Sequence, residues 1–73
     1  MPKLPRISAQ KAIKTLTKIG WELSRQKGSH IIMIKKGSIY TLSIPNKSVV
    51  APGLLRDLIK KAGLTVEEFI DLL

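Results

Sequence analysis

The sequence contains no cysteine and only one histidine, His30. Without cysteine the chain can form no disulfides, carry out no thiolate chemistry and build none of the usual zinc sites. A single imidazole also excludes metal sites that need two or more histidines. The residue inventory therefore implies no metal and no other cofactor.

Long apolar segments are also missing from the sequence. The longest uninterrupted apolar run is Ile31 to Ile34, whereas a membrane span needs about 18 residues. The start of the chain is charged and lacks the apolar stretch of a secretory signal. We therefore expect a cytoplasmic protein that does not bind membranes. Its 73 residues leave room for one domain, to which we assign residues 1–73.

Acidic residues are scarce, since 5 Asp and Glu stand against 13 Lys and Arg, giving a net charge of +8. Residues 1–47 hold most of the basic side chains and a single acidic one, Glu22. A charge pattern of this kind is typical of proteins that bind polyanions. Nucleic acid and an acidic protein are the expected partners, and a lysine-rich surface that only aids solubility is the alternative.

The apolar spacing after Ser8 predicts a helix that begins at this N-cap residue and ends at Gly20. Lys11, Lys14 and Lys18 fall on the face opposite the apolar residues. This lysine stripe has three interpretations: contact with phosphates, contact with a protein partner, or a solvated helix face.

The apolar period changes to two from Trp21 onward, which predicts a first strand over residues 21–26. Two runs rich in β-branched residues follow, Ile31 to Ile34 and Ile39 to Ile44, joined by a short connection that contains glycine. The first of these runs is apolar on both faces, so we expect it to be the central strand, with one apolar face left exposed. Trp21 is expected in the core rather than as a platform for base stacking.

Helical spacing returns from Gly53 and ends at Gly63, after a loop over residues 46–52. Thr65 and Glu68 form a capping-box pattern that predicts a short last helix. The predicted order is α-β-β-β-α plus this short helix. We expect an α+β fold with a three-stranded antiparallel sheet and helices on one face.

Most enzyme templates fail because the required residues are absent. The sequence has no Gly-rich phosphate loop, no carboxylate pair in a plausible cleft and no readable Ser-His-Asp set. His30 remains, because an imidazole exchanges protons near neutral pH. In basic surroundings this is what metal-free RNA cleavage requires, since the ribose 2′-hydroxyl supplies the nucleophile. The alternative is a histidine that is structural or merely exposed.

Several short motifs occur in an order typical of a known family. Residues 27–30 read Lys-Gly-Ser-His and precede the isoleucine-rich strand, and residues 44–45 read Ile-Pro. Residues 52–53 read Pro-Gly, and residues 61–64 read Lys-Ala-Gly-Leu. Over nearly its whole length the chain thus resembles the HicA family of mRNA interferase toxins.

The resemblance implies a double-stranded-RNA-binding-domain-like fold and a metal-independent endoribonuclease that cleaves mRNA, with His30 as the catalytic residue. It also implies a type II toxin–antitoxin system, in which a HicB-like antitoxin binds and neutralises the toxin. Gly28 and Ser29 either shape the substrate site or only form a turn. The expected substrate-binding residues are Lys11, Lys14, Lys18, Lys27, Gly28, Ser29 and Lys47.

The sequence departs from the family pattern after the third strand. Asn46-Lys47 replaces the common Arg-His or similar basic pair, and Leu54 stands where the family often has Thr. Without that second histidine, a lysine or water must protonate the leaving 5′-oxygen, and Lys27 and Lys47 are the candidates. Two rival functions stay open: an RNA-binding module of this fold that does not cleave, and a protein whose basic surface only docks an acidic partner.

Overall fold

The computed structural model describes residues 3–73, and Met1 and Pro2 of the predicted domain 1–73 lie outside this part. The three strands form one antiparallel sheet in the order in which they follow along the chain, so the apolar strand is central, as predicted. The α-β-β-β-α order with a short last helix is also confirmed. The elements are α1 (Ala9–Thr17), β1 (Glu22–Lys27), β2 (His30–Ile34), β3 (Leu42–Pro45), α2 (Pro52–Lys61) and α3 (Val66–Leu72).

The predicted helix caps of α1 and α3 are confirmed. Ser8 Oγ accepts a hydrogen bond of 3.1 Å from the backbone N–H of Lys11. At α3 the Thr65 N–H donates to Glu68 Oε1 at 2.9 Å, and the Glu68 N–H donates to Thr65 Oγ1 at 3.1 Å. Each cap satisfies N–H groups that a helix start leaves without a partner.

One face of the sheet is buried under the helices. Ile31 and Met33 of β2 and Leu42 and Ile44 of β3 point inward and belong to one hydrophobic cluster with the buried faces of α1 and α2. Trp21 is 2% exposed and belongs to the same cluster, which confirms its predicted place in the core. The opposite face of the sheet carries no helix within residues 3–73 and is open.

The predicted third strand, residues 39–44, is too long at its start, because β3 begins at Leu42. Ile39 is 91% exposed, and the Tyr40 N–H donates to Ser38 Oγ at 3.1 Å rather than to a strand. This local side-chain bond competes with the sheet and keeps the segment in the turn. The second helix starts slightly earlier than predicted, at Pro52, whose fixed φ suits a first helical turn.

The predicted strict alternation of β1 is wrong at Ser24. Leu23 pairs with Met33 but Arg25 pairs with Ile32, so one extra residue is inserted in β1. A bulge of this kind puts residues two apart on opposite faces of the sheet. As a result Arg25 lies on the open face beside Ile32, whereas Leu23 lies on the other face. The strand itself begins at Glu22, one residue after the predicted start.

Every helix in residues 3–73 is too short or too polar to cross a membrane.

Candidate active site

His30 is the first residue of β2 and lies on the open face of the sheet. Its backbone pairs with Lys27 of β1 on one side and with Pro45 of β3 on the other. The next residue, Ile31, is buried, and alternation along a strand therefore directs His30 outward. The imidazole is exposed, which leaves it accessible to a substrate.

A shallow cleft of about 310 Å³ surrounds this histidine. Its walls are formed by Lys27, His30, Ile32 and Ser43, which come from all three strands. Ile32 and Ser43 lie directly opposite each other in the register of β2 and β3. The cleft thus combines an imidazole, an ammonium group, a hydroxyl and an apolar floor.

The lining of this cleft carries positive charge without a counter-charge. Within residues 3–73, no acidic residue lines the cleft. Glu22, the one acidic residue of the sheet, pairs with Ile34 at the far end of β2. A phosphate entering the cleft therefore meets Lys27 without a neighbouring carboxylate to repel it. No cluster of three or more potential metal ligands occurs within residues 3–73.

Backbone hydrogen bonds hold the segment after β3 against the turn that carries His30. The Asn46 N–H donates to the Ser29 carbonyl at 2.7 Å, and the Ala9 N–H at the start of α1 donates to the Lys47 carbonyl at 3.0 Å. These bonds bring the β1–β2 turn, Asn46-Lys47 and the first turn of α1 to one end of the molecule. Since they use backbone atoms, the side chains of Asn46 and Lys47 remain exposed.

Gly28 gives the turn before His30 its conformation. Its φ is +61°, in the left-handed region that side chains other than glycine rarely adopt. A Cβ at this position would meet no atom within 4 Å. The glycine is therefore required by the backbone conformation of the turn and not by a close neighbour.

The predicted lysine stripe on α1 is exposed but its three members differ in surroundings. Lys11 lies in the first turn of α1, at the His30 end of the molecule, and Lys14 follows one turn later. Lys18 lies about 10 Å further along the helix than Lys11, and its amino group donates a hydrogen bond to the Leu72 carbonyl of α3. The structure thus brings Lys11, Lys27 and Lys47 toward one end and engages Lys18 with the C-terminal helix.

Two residues of the cleft, Ile32 and Ser43, were not among the predicted site residues. The period of two in β2 and β3 places both on the face opposite the buried core. The strand pairing was the missing information. It alone places Ser43 opposite Ile32, and Pro45, two residues after Ser43, opposite His30.

Comparison with known proteins identifies the family. The sequence profile described as the HicA toxin of bacterial toxin–antitoxin systems matches residues 9–64, which include the whole sheet and His30. The chain belongs to the HicA toxin family. The match ends before α3, which the profile does not cover.

Among solved structures, this HicA family member is similar to a chain of the toxin–antitoxin complex from Streptococcus pneumoniae. The two chains share 34% sequence identity with a TM-score of 0.72, and the match covers 80% of this chain and 98% of the other. The fold expected from the resemblance is thereby confirmed. A search among curated protein sequences finds no match.

The conformation of Gly28 leads to a prediction about stability. Gly28→Ala should lower the free energy of unfolding by about 1 kcal/mol, because alanine must adopt a left-handed backbone conformation. Gly53→Ala is the matched control, since Gly53 lies inside α2 and an added Cβ there also meets no atom within 4 Å. The control should be neutral or stabilising by up to about 1 kcal/mol. Urea unfolding of both variants checks this, and equal effects would contradict the assigned role of the turn.

Proposed function

We propose that this HicA toxin is a metal-independent endoribonuclease that cleaves mRNA, with His30 as its acid–base residue. The observation that supports this proposal most directly is the exposed imidazole beside Lys27 in a cleft without carboxylates. Imidazole is the side chain best suited to move protons at neutral pH, and a neighbouring ammonium group attracts the phosphodiester.

The proposed reaction begins when the imidazole of His30 takes the proton of a ribose 2′-hydroxyl. The 2′-oxygen then forms a bond to the adjacent phosphorus, and the bond between phosphorus and the 5′-oxygen of the next nucleotide breaks. That 5′-oxygen takes up a proton as it leaves. The products are a 2′,3′-cyclic phosphate and a free 5′-hydroxyl, so atoms and charge balance without a metal ion.

Lys27 is the better of the two candidate proton donors. It pairs with His30 across the β1–β2 turn and lines the same cleft. Lys47 lies in the loop after β3 and is not among the residues that line the cleft. The ammonium group of Lys27 would also stabilise the negative charge that develops on the phosphate oxygens during attack. Ser43, across the cleft, offers a hydroxyl that can donate a hydrogen bond to the same phosphate.

The proposed inhibitor of this activity is a HicB-like antitoxin that binds over the open face of the sheet. Support comes from the similar chain of a toxin–antitoxin complex and from the surface itself. Ile32 is half-buried and pairs with Arg25, whereas Ile34 is 44% exposed and pairs with Glu22. An apolar strip whose His30 half is flanked by Arg25 and Lys27 fits an acidic protein partner, which would cover His30. We place toxin, antitoxin and mRNA together in the cytoplasm.

The catalytic proposal predicts the phenotype of one substitution. His30→Ala should lower the rate of RNA cleavage by about 100-fold to 10,000-fold, the usual contribution of acid–base catalysis, and should abolish growth inhibition. Folding and RNA binding should persist, because His30 is exposed and contributes no buried packing. Thr41→Ala, an exposed position outside the cleft, should leave the rate unchanged.

Cleavage rates of the purified proteins on a defined RNA, measured in EDTA, check this prediction. An equal rate for His30→Ala and the wild type would refute the catalytic role. A folded wild-type protein that binds RNA and never cuts it would favour the non-catalytic RNA-binding module.

The lysines of α1 provide a prediction about RNA binding. Replacing Lys11 and Lys14 with Gln should weaken binding and reduce the slope of log K against log salt by about 1.4 to 1.8, because each lost phosphate contact removes about 0.7 to 0.9. The control replaces Arg56 and Lys60, two exposed cations of α2, with Gln and should change the slope less. Salt titrations of RNA binding measure both. Identical slopes in the wild type and the Lys11/Lys14 variant would show that the phosphate contacts lie elsewhere on the protein.

A further inference from the structure

A second cleft, of about 300 Å³, lies at the opposite end of the sheet from His30. It is bounded by the connection between β2 and β3 and by the end of α2. Three of its lining residues are cations, Lys35, Lys36 and Lys61, and a fourth is Trp21. β2 runs from His30 to Ile34, a length of about 13 Å, and Lys35 and Lys36 follow its far end.

Trp21, which lines this cleft, carries a hydrogen-bond donor without a partner among residues 3–73. Its side chain is 2% exposed, and its indole Nε1 is buried without a hydrogen-bond partner among residues 3–73. A buried donor without an acceptor typically costs about 1 to 3 kcal/mol. Such a group in the wall of a cleft is explained when the cleft receives a ligand that carries an acceptor.

The charge of the cleft indicates which acceptor it receives. Lys35 is half-buried, and its Cε lies 3.5 Å from the place a Cβ would occupy at Gly20. Its stem therefore packs against the chain just before Trp21, and Lys36 beside it is exposed. Lys61 Nζ lies 3.2 Å from Asp57 Oδ2. Both partners of that ion pair are solvent-exposed, so it is weak and does not prevent Lys61 from turning to another anion.

We propose that this cleft binds a phosphate group, with the ammonium groups of Lys35, Lys36 and Lys61 as its charge partners and the indole N–H of Trp21 as a hydrogen-bond donor. Since the indole N–H is shielded in the unbound protein, this site requires the exposed side chains of Lys36 and Lys61 to move aside when a phosphate oxygen reaches it. Resting on the proposed function, we assign the phosphate to the backbone of the RNA substrate. The RNA would then contact the protein at two points separated by about the length of β2, roughly 13 Å, one at His30 and one at Trp21.

A single NMR signal tests the phosphate site, because Trp21 is the only tryptophan of the chain and its indole N–H signal needs no assignment. Titration of the wild-type protein with inorganic phosphate should shift this signal saturably. Replacement of Lys35, Lys36 and Lys61 with Gln should weaken the apparent affinity by about tenfold or more, as expected from the loss of charge-assisted hydrogen bonds. Replacement of Lys3, Arg6 and Arg56, three exposed cations outside both clefts, with Gln removes the same charge elsewhere and should leave the affinity nearly unchanged.

Three results of this titration would overturn the site. These are a Trp21 signal that does not respond to phosphate, an equal loss of affinity in both triple variants, and a response to a glutamate-rich peptide without a response to phosphate. The last would indicate a carboxylate-bearing protein partner instead.

The source of the phosphate is tested separately with the His30→Ala protein and a short RNA. A saturable shift of the Trp21 signal by RNA, lost in the Lys35/Lys36/Lys61 variant of the same protein, supports the RNA assignment. A shift by inorganic phosphate but not by RNA would overturn that assignment and identify free phosphate as the ligand. Neither titration depends on cleavage, so a failure of the ribonuclease proposal would be visible independently in the cleavage assay.

Discussion

The alternation of side chains along β2 is the constraint on which the candidate active site depends. Ile31 and Met33 are buried almost completely between the sheet and the helices, and this burial fixes which face of the strand points inward. His30 and Ile32 are directed to the open face as a consequence. A slip of one residue in register would bury the imidazole and expose the core, so the same apolar contacts that stabilise the fold also present the histidine.

The chain reinforces this arrangement at both edges of β2. On one side Lys27 is paired with His30 through the short turn at Gly28, whose left-handed backbone lets the strands reverse direction within two residues. On the other side, Asn46 donates its N–H to the Ser29 carbonyl and continues into a loop that also contacts the start of α1. Lys27 therefore lines the cleft of one exposed imidazole, and the segments that carry Lys11 and Lys47 lie at the same end of the molecule, while most carboxylates lie in the last third of the chain.

Much of this architecture could be predicted from the sequence because its signals are local. The Ser8 cap, the Thr65 capping box and the doubly apolar β2 each follow from residues within one turn or one strand. The bulge at Ser24 could not be predicted, since it depends on how β1 matches β2 rather than on β1 alone. The start of β3 depended on a competing hydrogen bond from Tyr40 to Ser38.

The same distinction applies to the candidate site. His30, Lys27 and Gly28 are close in sequence, and the predicted hairpin brings them together, whereas Ser43 and Ile32 join the cleft only through strand pairing. The second cleft near Trp21 depends on segments that are far apart in the chain.

The proposed function depends above all on the promotion by His30 of attack by the RNA's own 2′-hydroxyl. Analysis of the fragment ends formed by the wild-type protein in EDTA tests it most directly. We expect 2′,3′-cyclic phosphates and 5′-hydroxyls, and fragments with 5′-phosphates and free 3′-hydroxyls would contradict attack by the 2′-hydroxyl.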